Sequence, residues 1–166
     1  MRAHLDEWWD DVKAIANEPQ QVIIGHDAEN PMMLTACEWL DVFVDQQRQT
    51  RRGDEKNGWW ELIVAEAGTY EFELRRWPRE ADTAIAAGMP AVDVTAGRLA
   101  EGRALPIKSA RIQIGREFQS KTVGKNDKSV TFTFDLEAGP TRLYTWFEKA
   151  PRQGILGAYH VYVNRL

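Results

Sequence analysis

Two stretches of this chain alternate apolar and polar residues with a period of two, and nothing else limits its fold as strongly. In 69–75, Tyr70, Phe72 and Leu74 point one way while Thr69, Glu71, Glu73 and Arg75 point the other. In 129–136, Val130, Phe132, Phe134 and Leu136 alternate with Ser129, Thr131, Thr133 and Asp135. Such alternation marks antiparallel strands with one face in a core and one in water. Tyr70, Phe72, Val130, Phe132 and Phe134 are expected to face one another across two sheets. Shorter apolar runs at 21–24, 33–39, 59–65, 107–114, 141–147 and 158–163 add further strands. Seven to nine short strands joined by turns indicate a mainly β fold, an antiparallel β-sandwich that is jelly-roll-like and carbohydrate-binding-module-like.

A weak internal echo supports this. Glu66-Ala67-Gly68 and Glu137-Ala138-Gly139 each join two of these strands, and a glycine there supplies the positive φ of a tight connection. Two segments read as loops. Residues 45–58 are polar and aperiodic, and 78–106 form a long crossover with a short strand near 92–94.

Only the N-terminus has helical periodicity. Leu5, Trp8, Trp9, Val12 and Ile15 recur at steps of three and four, and Pro19 stops the run. The division expected is a helix over 1–18 and a sandwich domain over 19–166. Two tryptophans on so short a helix require a large apolar surface to cover them.

Composition then removes whole classes of function. A formal charge of −4 offers no basic field for phosphate, so nucleic acid is not an expected partner. The single Cys37 excludes an internal disulfide framework and a cysteine-rich zinc site. No stretch approaches the roughly 20 apolar residues of a membrane span. The first residues lack the apolar stretch of a signal peptide, so either the protein stays inside the cell or Met1 opens an excised fragment.

Side chains that do chemistry are scattered. Ser109, Ser120 and Ser129 sit outside any nucleophile-elbow pattern, and Cys37, beside Trp39, reads as a buried inert thiol. His4, His26 and His160 lack a second ligand at metal spacing, so no metal site is expected. Asp27, Glu29 and Asn30 have a composition that suits calcium, but a turn held by local side-chain bonds explains them as well. Trp59, Trp60 and Trp146 fall inside strands and read as core. Trp77 differs. If the strand continues through Pro78, then Arg75, Trp77 and Arg79 point the same way. Two guanidinium groups around one indole suit a sulfated sugar, and they suit an interdomain contact equally.

Several stretches together resemble one family. Glu29-Asn30-Pro31 with Leu34-Thr35 and Trp39, Ala67-Gly68-Thr69-Tyr70 leading into Leu74-Arg75-Arg76-Trp77-Pro78-Arg79-Glu80, and the closing Gly157-Ala158-Tyr159-His160-Val161-Tyr162-Val163 resemble the C-terminal accessory region of bacterial arylsulfatases. The group includes those labelled N-acetylgalactosamine-6-sulfatase. The Trp8-Trp9 helix is similar to the segment that ends, or links from, their catalytic part. The resemblance implies a parent sulfuric ester hydrolase that uses formylglycine and calcium and works in the periplasm or outside the cell. The formylglycine precursor, Cys or Ser in Cys/Ser-x-Pro-x-Arg, has no counterpart here: Cys37 is followed by Glu38, Trp39, Leu40 and Asp41.

The expected function is therefore a non-catalytic C-terminal β-sandwich domain of a sulfatase, with no cofactor of its own. Its expected partners are the catalytic domain of the same polypeptide and a sulfated carbohydrate, met through Arg75, Trp77 and Arg79. A free-standing carbohydrate-binding module is the first alternative, and a hydrolase using a carboxylate pair is the second.

Overall fold

The computed structural model describes residues 1–16, 18, 20–150 and 153–166. In chain order the elements are α1 (Arg2–Ala16), β1 (Val22–Ile24), β2 (Met32–Thr35), α2 (Gln47–Arg52), β3 (Trp59–Val64) and β4 (Gly68–Arg75). They continue with β5 (Val92–Val94), β6 (Gly97–Leu99), β7 (Ser109–Ile114), β8 (Glu117–Thr122) and β9 (Val130–Leu136). The last three are β10 (Gly139–Ala150), β11 (Gln153–Leu156) and β12 (His160–Arg165). Pro19, the expected helix stop, lies outside the described residues.

The strands form a β-sandwich. The larger sheet runs β1-β3-β10-β7-β8 with β11 added beside β10, and the smaller runs β2-β12-β4-β9. Among the described residues, β5 and β6 form a separate two-stranded sheet. Among the described strands, every pairing is antiparallel except β1 with β3. Consecutive strands pass from one sheet to the other at β1–β2, β2–β3, β3–β4, β8–β9, β9–β10 and β11–β12, as in a jelly roll.

One core lies between the sheets. Ile24, Trp60, Leu62, Ile112, Leu143 and Phe147 come from the large sheet, and Leu34, Phe72, Leu74, Phe132, Phe134 and Val161 from the small one. The five residues expected to meet across the sheets are all buried but belong to neighbouring strands of one sheet. Phe72 lies opposite Phe132, Tyr70 opposite Phe134, and Leu74 opposite Val130. Alternation fixes which face a residue takes, and it is silent on which sheet the strand joins.

The repeated Glu-Ala-Gly segments form two of the corners where the chain changes sheets, β3–β4 and β9–β10. Gly68 pairs with Leu136, the last residue of β9, and Gly139 pairs with Val64, the last residue of β3. Of the two, only Gly139 has the positive φ (128°) that glycine favours. Gly25 has a stricter requirement: its φ is 74°, and a Cβ there would lie 2.0 Å from the Tyr70 hydroxyl oxygen. That hydroxyl donates to the Glu66 carbonyl oxygen at 2.6 Å.

The segment 45–58, expected as loop, contains the six-residue helix α2. Its buried residue is Arg51, whose guanidinium donates to the carbonyl oxygens of Pro90 (2.9 Å) and Ala100 (2.8 Å) in the long crossover. The turn around 27–30 is occupied with holding the chain together. Asn30 donates to the Arg165 carbonyl oxygen and accepts from the Arg165 backbone N–H, both at 2.9 Å, while Asp27 is paired with the Arg165 guanidinium.

α1 forms as expected, yet none of its residues is buried. Trp8 and Trp9 remain 53% and 47% exposed, so the sandwich does not cover the apolar stripe. Among the described residues, no helix is long and apolar enough to cross a membrane. Because α1 contributes nothing to the core, deleting residues 1–18 is expected to change sandwich stability by less than about 0.5 kcal/mol. Urea unfolding followed by circular dichroism checks this. Loss of the cooperative transition would instead make α1 part of the core.

Candidate functional site

The expected cluster of Arg75, Trp77 and Arg79 does not assemble. β4 ends at Arg75, and the chain then leaves the sheet, so the in–out rule stops applying one residue before it is needed. Arg76 and Trp77 both turn inward, at 0% and 2% exposure. The Trp77 indole N–H donates to the Ala87 carbonyl oxygen at 3.2 Å, and the Arg76 guanidinium lies 4.4 Å from its ring centre. No face of this indole is left for a sugar. Arg75 donates to Glu73 at 2.6 Å, and Arg79 pairs with the same carboxylate while lying over the Tyr162 ring. Burial pushes the Glu73 carboxyl up, but the two arginines outweigh it and hold the group below the usual carboxylate range.

Next to Trp77 opens an apolar cleft of about 230 Å3, lined by Cys37, Met89, Tyr159 and His160 among others. Cys37 is exposed there rather than buried as expected. The cause is local: a turn over Ala36–Glu38 follows β2, and Glu38 accepts from the Thr35 backbone N–H at 2.6 Å. The turn breaks the alternation, sending Trp39 into the core and Cys37 outward. Burial lowers the His160 imidazole to about 4, so this ring is neutral at ordinary pH.

A group of outward-facing aromatic rings lies on the outer face of the large sheet. In β10, Leu143, Thr145 and Phe147 point inward and are fully buried, so Tyr144 and Trp146 point outward, where they are half-buried. Trp59 of β3 lies directly opposite Tyr144, and Arg111 of β7 directly opposite Trp146. The Trp59 and Tyr144 ring centres are 6.0 Å apart, and Tyr144 and Trp146 are 5.9 Å apart with planes 8° from parallel. The Arg111 guanidinium sits 4.2 Å from the Trp146 ring centre. Beyond Tyr144 the cross-strand row continues through Gln113 to Phe118, which is 72% exposed.

Polar groups border the rings. Glu61 accepts from the Trp59 indole N–H at 3.1 Å and from Arg142 Nε at 2.6 Å. Glu148 pairs with Arg111 at 3.4 Å and accepts from the Ser109 hydroxyl at 3.2 Å. The combination of apolar ring faces with a few oriented hydrogen-bonding groups suits a ligand that is itself amphipathic.

Sequence reasoning assigned Trp59, Trp60 and Trp146 to the core, and only Trp60 is there. Its ring is fully buried, and its N–H donates to the Thr35 carbonyl oxygen at 3.0 Å. The signal for the other two was present but masked. Trp60, Leu62 and Val64 form one face of β3, which already places Trp59 with Glu61 on the other. Aromatic residues on both faces make such a strand look continuously apolar, as a strand buried on both sides does.

No family model and no curated protein matches this chain. Among solved structures, a ruminal GH26 endo-beta-1,4-mannanase is similar over 82% of this chain and 26% of that one, with 11% identity and a TM-score of 0.40. The chain thus spans about a quarter of that structure's length, and the likeness is too slight to bear on function.

Proposed function

We propose that this chain is a non-catalytic accessory domain that binds carbohydrate on the outer face of its large sheet. The observation that carries the reading is the row Trp59, Tyr144 and Trp146, left half-open at the surface with arginine and glutamate side chains around it. Sugar rings present C–H faces that pack on aromatic rings and hydroxyl edges that bond to such side chains. In this reading the parent polypeptide is a sulfatase, as the sequence resemblance implies, and the chain itself does no chemistry. The uncovered Trp8 and Trp9 support the accessory role over a free-standing module, because an apolar stripe of that kind calls for a partner surface.

Titrating the chain with soluble polysaccharides, while following tryptophan fluorescence and heat, tests the binding face. Trp146→Ala is expected to weaken binding by about tenfold or more, equivalent to about 1.4 kcal/mol. Trp9→Ala, which alters α1 alone, should leave the affinity unchanged. Binding that survives Trp146→Ala and Tyr144→Ala together would move the site off this face.

A further inference from the structure

The charges around the aromatic row cancel one another, and from this we infer that the face selects an uncharged glycan chain over a sulfated one. The inference rests on the carbohydrate reading above and narrows its ligand class. Among the described strand residues facing outward around the row, the charged ones are Arg111, Arg142, Glu61 and Glu148. They form two internal pairs, Arg142 with Glu61 and Arg111 with Glu148. Glu148 is only 5% exposed, so its charge is tied to Arg111 and cannot swing away.

A sulfate group needs a cation with donors to spare and no carboxylate beside it. To reach Arg142, a sulfate must either displace Glu61 or lie next to it. Glu61 is also fixed by the Trp59 indole N–H, so displacing it leaves that donor unpaired. Lying beside it places two anions together at the surface, an arrangement that costs binding energy. The other arginines near the expected sulfate site offer no substitute. Arg75 and Arg79 share Glu73, and Arg76 is buried.

A sugar hydroxyl meets none of these obstacles. It donates to the lone pairs a carboxylate still has unused and accepts from a spare guanidinium N–H, so both ion pairs stay intact. Each step between ring centres, 6.0 and 5.9 Å, is also comparable to one residue of a glycan, so the row suits a chain rather than a single sugar.

The test uses matched backbones: hydroxyethylcellulose against cellulose sulfate, dextran against dextran sulfate, and guar galactomannan against its sulfated derivative. Each is titrated into the chain at low and high salt. The uncharged member of at least one pair is expected to bind, with an affinity that changes less than about twofold with salt, because no ion pair to the ligand is screened. Its sulfated counterpart should bind at least about tenfold more weakly. Glu61→Gln removes one anion and releases Arg142, and should raise the sulfated-to-uncharged affinity ratio about threefold or more. Tighter binding of the sulfated members, weakening with salt, would overturn the inference and leave the carbohydrate reading standing. So would preference for the uncharged member with a ratio that Glu61→Gln does not move, since charge balance would then not be the selector. Silence toward both members of every pair would overturn the carbohydrate reading itself.

Discussion

Phe132→Ala is expected to destabilise the sandwich by about 3–5 kcal/mol, the cost of emptying a fully buried aromatic site that cannot collapse. Phe132 sits at the middle of β9 with no exposure, directly opposite the equally buried Phe72 of β4. Phe72 in turn meets Phe134 edge-on at 6.0 Å and stacks near Tyr70 at 6.5 Å. Removing one ring therefore withdraws contacts from a connected aromatic cluster, and β4, the ladder partner of β9, is itself held by β12 on its other side. A loss of this size is a large share of the 5–15 kcal/mol by which domains are stable. The neighbouring Thr133→Ala, on the wet face of the same strand, should stay within about 0.5 kcal/mol. Urea unfolding of both variants gives the comparison. If Phe132→Ala lost less than about 1 kcal/mol while Thr133→Ala lost more, the strand would be shifted by one residue, which exchanges its two faces.

That the same residues were readable in the sequence follows from the chemistry of one-sided burial. β4 and β9 bury only one face each, and their outer faces carry Thr, Glu and Asp, so hydropathy reports the geometry directly. α1 was equally legible, since its apolar residues keep helical spacing. The helix α2 was not. At six residues it is shorter than two turns, and its buried member, Arg51, is held by carbonyl oxygens that no pattern in 45–58 foretells. β3 and β10 hid their outer face for the opposite reason: Trp59, Tyr144 and Trp146 make both sides of the strand look like core. Trp77 shows where alternation ends. A strand rule applied past Arg75 predicts exposure, whereas the chain has already turned beneath the crossover 78–106. The candidate face thus depended on knowing strand partners, which come from long-range pairing rather than from local pattern.

The crossover itself rests on Arg76, and replacing this residue should have an effect as large as that of Phe132. Its side chain is fully buried, and burial lowers the guanidinium to about 10, which still leaves it charged at neutral pH. The charge is held by carbonyl oxygens. Arg76 donates to Arg103 at 2.8 Å, Ala87 at 3.2 Å, Thr50 at 3.4 Å and Ile85 at 3.5 Å. These four come from α2 and from both ends of the crossover, a segment with little ladder pairing of its own. One planar group thereby ties three pieces of chain together, with Trp77 beneath it at 4.4 Å. Arg76→Met keeps much of the volume but strands several buried acceptors, each costing about 1–3 kcal/mol if no water replaces the donor. The expected loss is about 3–5 kcal/mol. Arg76→Lys should recover little of it, because an ammonium has three donors and lacks the planar fork that spans these oxygens. Limited proteolysis should locate the damage, with new cleavage inside 78–106 while the two sheets still unfold as one unit. If Arg76→Met stays within about 1 kcal/mol of the unaltered chain and the crossover stays resistant to protease, then the crossover is held by its apolar contacts, with Ile85 as their buried anchor, and the guanidinium is incidental.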